Sequence, residues 1–123
     1  MGFLEVLKSV MRRMRNPHAR PRSILVPDDR GVTITREGAV VNRLDWAEVH
    51  KIVGGQIPDR AWDSAFVDLY RGENVLRIWQ DVEGINDFLG AMYRAFPAID
   101  RGWTKRTLAH DGAYQETLYE RGQ

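Results

Sequence analysis

The chain has 123 residues, 43% of them hydrophobic and 28% charged, with no cysteine, three histidines and a net charge of +1. That length suits one domain built around one core, and the missing cysteine excludes disulfides, thiolate nucleophiles and cysteine-based metal centres. The charge is uneven: residues 1–22 hold six basic side chains against Glu5, a balance of +5, while the remainder holds 12 basic and 16 acidic groups, a balance of −4.

Phe3, Leu7, Val10, Met11 and Met14 recur at helical spacing among Glu5, Lys8, Arg12, Arg13 and Arg15, which predicts an amphipathic helix over residues 2–15. Basic residues follow the apolar ones, the reverse of a secretory signal, and no run of about 18 apolar residues predicts a membrane span. A cytoplasmic protein is expected, peripheral at the membrane if the basic helix meets lipid. The segment NPHARPR carries two prolines and reads as a linker. SILVP and VTITR read as short strands separated by the turn Asp28–Gly31, and Glu37-Gly38 predicts a tight hairpin into AVVNRL.

The stretch WAEVHKIVG is two-sided. Trp46, Val49 and Ile52 fall three apart, as on a helix, whereas Val49, Lys51 and Val53 alternate as on a strand. The surrounding strands favour a bent strand, ended by Gly54-Gly55 and Pro58. Asp59 to Ser64 reads as a polar loop interrupted by Trp62. AFVDLY and VLRIW alternate about Arg71-Gly72-Glu73-Asn74, the plainest hairpin in the chain. A closing helix over 82–96 follows, with Asp81 as its N-cap, Val82, Ile85, Leu89, Met92 and Phe96 as its apolar stripe, and Pro97 as its stop. The tail keeps Ile99, Trp103, Leu108, Tyr114, Leu118 and Tyr119, too many large apolar groups to stay in water, so it is expected to pack back on the body.

These elements predict an α+β fold of five or six antiparallel strands forming a bent sheet closed by one helix, preceded by an N-terminal amphipathic helix. Residues 1–22 form a basic arm and linker, and residues 23–123 a single domain. Trp46-x-x-Val49-x-x-Ile52, the strand 66–70, the strand Val75–Trp79 leading through Asp81-Val82-Glu83-Gly84 into the helix, and Phe96-Pro97-x-Ile99-x-x-x-Trp103 together resemble small bacterial proteins of pleckstrin-homology-like architecture. The resemblance covers about half of the chain and implies a strongly bent antiparallel sheet, a binding role and no catalytic residues.

The chemistry-bearing residues point the same way. His18, His50 and His110 sit in three separate segments without metal-ligand spacing, so neither a metal site nor a cofactor is expected. No serine stands in a nucleophile-elbow context, and Asp81 and Glu83 read as helix-start acids. The expected function is therefore a non-catalytic binding or interaction module. Phe3, Leu7, Met11, Arg12, Arg13, Arg15 and the loop residue Trp62 are its expected interaction residues. Its partner is expected to be another protein or a second copy. An anionic membrane surface is the alternative, met by the arm's apolar residues and arginines. Nucleic acid is not expected, because the body is acidic. The rival reading is a small hydrolase whose cleft gathers Trp46, His50 and His110 with nearby acids.

Overall fold

The computed structural model describes residues 23–59 and 62–122. The expected N-terminal helix, with Phe3, Leu7, Met11, Arg12, Arg13 and Arg15, lies outside the described residues.

The architecture is a small α+β fold of two antiparallel sheets. The first sheet holds β1 (Ser23–Pro27), β2 (Gly31–Arg36) and β3 (Ala39–Asp45) in the order β1-β2-β3. The second holds β4 (Val49–Asp59), β5 (Trp62–Arg71), β6 (Asn74–Trp79) and β7 (Tyr114–Glu120) in the order β6-β5-β4-β7. Two helices, α1 (Ile85–Ala95) and α2 (Trp103–Leu108), stand between β6 and β7.

Both expected hairpins form. Glu37 and Gly38 take positive φ values of 53° and 80°, the mirror-image turn whose twist matches the flanking strands. In the second hairpin Val67 pairs with Ile78 and Leu69 with Leu76, so these four side chains share the inner face. Phe66, Asp68 and Tyr70 face outward with Trp79, Arg77 and Val75.

Four expectations need correction. Among the described residues seven strands form rather than five or six, because the tail returns as β7 and pairs along β4. Residues 59–64 are not simply a loop: β4 runs to Asp59 and β5 starts at Trp62. Gly54-Gly55 and Pro58 do not end the strand either. Pro58 lies beyond the last β7 partner, Gln56, so its missing N–H interrupts no second ladder. Finally, Asp81 does not cap the helix; Gly84 precedes Ile85 at φ 90°, while Glu83 bridges to β1, its carbonyl accepting the Leu25 N–H at 2.9 Å.

The core fills the space between the sheets and α1. Val32, Leu44, Val49, Ile52, Leu69, Phe88 and Met92 are fully buried in it. Trp46, Val49 and Ile52 reach this core together because a 3-10 turn over Trp46–Glu48 is followed by a bulge between Val49 and Lys51. The bulge turns a period-three spacing into a single buried face.

Candidate functional site

The residues expected to form a cleft are not brought together. Trp46 is a core side chain, 5.9 Å from the rings of both Phe88 and Phe96, and its indole N–H donates to the Asp28 carbonyl at 3.3 Å. His50 stands at the start of β4, its Nε2 3.0 Å from the Gly72 carbonyl oxygen. His110 lies beyond α2, its Nδ1 3.4 Å from the Arg106 carbonyl oxygen and its own carbonyl accepting from Gln56. The six residues from His50 to Gln56 separate the two imidazoles by about 20 Å of strand. Neither imidazole pairs with a carboxylate among the described residues. Trp62 opens β5, and its side chain lies outside the described residues.

The ionic groups form structural clamps. Arg106 holds Glu116 through two contacts of 2.9 Å and Asp100 through one of 3.1 Å, fastening α2 to β7. The Arg106 guanidinium keeps the Glu116 carboxyl below its ordinary range, and the Gly102 N–H, with Arg106 second, does the same for Asp100. Tyr114 donates to Glu116 at 3.0 Å, and that carboxylate raises the phenol's pKa. In the first sheet Arg43 ties Asp28 to Asp45. The Arg43 hydrogen bond, then the Arg30 N–H, lower the Asp28 carboxyl to about 2. With donors and acceptors matched in this way, these clusters offer no spare acid or base.

Three other surfaces are more informative. The first is a groove of about 380 Å³ between the second sheet and the two helices, lined by Val67, Ile78, Ile85, Leu89 and Trp103, with Leu108 exposed at its rim. Of its polar lining, Gln80 accepts from the Ala65 N–H, and Thr104 and Thr107 donate to the Arg101 and Trp103 carbonyls, while Asn86 stands at the start of α1.

The second surface is the outer face of the four-stranded sheet. The register places Val53 opposite Asp68, Gly55 opposite Phe66, Phe66 opposite Trp79 and Asp68 opposite Arg77, all on this face. Phe66 is 1% exposed and Val53 5%, yet both stand outside the core cluster, whose members come from the first sheet, both helices and the inner face. Arg77 lies 3.9 Å from the Phe66 ring centre and holds the buried Asp68 at 2.7 and 2.9 Å. The Asp68 hydrogen bonds raise the Arg77 pKa further above its ordinary value.

The third surface is a seam lined by residues of β1, β2, β3 and β6, where β3 and β6 are each an edge strand of their sheets. It is an open groove of about 370 Å³ and carries Ser23, Arg36, Asn42 and Arg77 among apolar residues that include Leu25, Ile34 and Trp79. Val41 and Trp79 are exposed at this seam. Periodicity could not single out Arg36, which sits beside a turn in sequence and becomes notable once the sheets enclose it.

No family model, no curated protein and no solved structure matches this chain.

Proposed function

We propose that the protein is a non-catalytic interaction module whose four-stranded sheet receives an amphipathic helix on its outer face, and that residues 3–14 of this chain supply that helix. The observation that carries this reading is the burial of Phe66 and Val53 on a face to which the core cluster contributes nothing. An apolar sheet face needs a covering layer, and the stripe Phe3, Leu7, Met11 and Met14 has the composition to be one.

Chain geometry supports the assignment. Ser23, the first described residue, lines the seam with Arg77 and Trp79, at the β6 margin of the outer face. Residues 16–22, extended, reach about 24 Å, more than the roughly 15 Å width of four strands. Arg12, Arg13 and Arg15 then keep their charged ends in water over buried stems. The pleckstrin-homology-like resemblance adds support for binding over catalysis. Self-association follows when the segment comes from a second copy. No helix among the described residues is long and apolar enough to cross a membrane.

The test uses the full chain with Leu7→Glu and Met11→Glu together. Uncovering Val53 and Phe66 is expected to raise the fluorescence of an added hydrophobic dye several-fold without changing far-ultraviolet circular dichroism. Light scattering distinguishes the source: a dimer that the double substitution converts to monomers places the segment on a second copy. Unchanged dye binding, together with Leu7-dependent sedimentation of the parent on anionic vesicles, overturns the reading in favour of a membrane surface.

A further inference from the structure

The seam between β3 and β6 contains a cation whose hydrogen bonding is incomplete. Arg36 ends β2 opposite Ser23 of β1, and its Nη2 donates to Ser23 Oγ at 3.1 Å. Its Nε is buried and has no hydrogen-bond partner among the described residues. Neighbouring guanidinium groups differ: Arg77 is paired with Asp68, Arg43 with Asp28 and Asp45, and Arg71 donates to the Arg43 carbonyl and to Asn42. A buried N–H on a charged group is costly to leave unmatched, which makes such a group a marker for an absent acceptor.

The surroundings define the acceptor. No acid is among the described residues lining the seam, and because Arg77 is already paired with Asp68, Arg36 is the cation there that is left to draw an anion. The Ser23 hydroxyl accepts from Arg36 and retains its own proton, so two donors, Arg36 Nε–H and Ser23 Oγ–H, stand side by side. Behind them lie Leu25, Ile34, Leu76 and Val82, and at the mouth Val41 and Trp79. The groove's volume of about 370 Å³ corresponds to about a dozen water volumes, within the range of small-molecule pockets.

We propose that this seam binds a small organic carboxylate, its charged head on Arg36 and Ser23 and its apolar body between the two sheets. A carboxylate accepts from guanidinium with favourable planar geometry, and the apolar walls select against a bare inorganic anion. The site is separate from the outer-face contact proposed above, although Arg77 and Trp79 border both.

The experiment is a nuclear magnetic resonance titration of the full-length protein with octanoate, using octanol as the uncharged control. Octanoate is expected to shift the Arg36 Nε–H resonance and the amides of Ser23, Val41 and Val82 in a saturable way, and to bind at least tenfold more tightly than octanol. Arg36→Gln is expected to weaken octanoate at least tenfold and leave octanol unchanged, with Arg36→Lys intermediate. Val41→Glu, a change at the exposed mouth that leaves Arg36 in place, is expected to weaken octanoate by charge repulsion. Equal affinity for octanoate and octanol, or octanoate binding that survives Arg36→Gln, overturns the proposal. Tighter binding of an acidic peptide than of octanoate overturns the small-molecule assignment.

Discussion

Trp103 occupies the space that a side chain at residue 54 would take: a β-carbon built on Gly54 would stand 2.7 Å from the ring atoms Cε3 and Cζ3. This approach lets the short helix α2 rest directly on the middle of β4. The ring is also held from its polar edge, where the indole N–H donates to the Tyr93 hydroxyl at 3.0 Å. Gly54→Ala therefore pushes on a side chain with little freedom to yield. The expected cost is about 1–3 kcal/mol, the usual penalty for overpacking a filled core. It should be read as a lower urea midpoint at unchanged slope. Trp103→Leu in the same chain should absorb part of that cost, giving a non-additive double mutant.

The same contact explains what was legible in the sequence. The hairpins at Glu37-Gly38 and at residues 71–74 could be read because alternation and turn chemistry are local. Gly54-Gly55 reads locally as a stop, since glycine weakens strands, but a residue 49 positions further on makes the glycine fit. The tail strand β7 was hidden because its residues are mixed in polarity and its pairing shifts register between Ile52 and Val53. Phe88, buried completely, falls outside the stripe drawn from Val82 because the helix starts at Ile85. Of the surfaces proposed for binding, the apolar stripe of the arm could be read as a pattern. The Arg36 seam draws its lining from several strands, and no sequence period connects them.

Asp68 is the buried charge on the outer face, at 4% exposure, and Arg77 grips both of its oxygens. Asp68→Asn keeps the shape but removes the charge that draws the guanidinium over Phe66. A charge-assisted pair of this kind contributes about 2 kcal/mol, and the loss should appear in chemical denaturation. Asp68→Asn combined with Arg77→Gln should be milder than the sum of the single changes, because each single change strands its partner.

Acid should destabilise the protein in a window set by Asp28. Its folded pKa of about 2 lies below the ordinary aspartate value of 3.8, because Arg43 and the Arg30 N–H favour the ionised form. A depressed carboxyl contributes stability that is fully present above its unfolded pKa and lost as pH falls through the folded one. Urea midpoints should therefore fall as pH drops from about 4 toward 2. Asp100 and Glu116, also lowered, add to the same limb. Asp28→Asn should flatten part of this limb without abolishing it; an unchanged profile would count against the Asp28 contact.

Gly84 fixes how α1 leaves the second sheet. It takes φ 90°, and a β-carbon there would fall on the Leu25 carbonyl oxygen of β1. Immediately before it, Glu83 accepts the Leu25 N–H at 2.9 Å, so the helix start is tied to the first sheet at this point. Gly84→Ala combines two penalties. The left-handed backbone costs an alanine about 1–2 kcal/mol, and the collision with Leu25 forces the β1 contact to open. The change should therefore lower stability more than Gly90→Ala, where the nearest atom to an added β-carbon is the flexible Arg94 side chain at 3.5 Å. Gly90→Ala should even stabilise, since alanine exceeds glycine in helix propensity by about 1 kcal/mol. Hydrogen exchange distinguishes the mechanism: in Gly84→Ala the Leu25 amide should lose protection ahead of the β4–β5 amides, whereas uniform loss would mean that the helix start is not the point of failure.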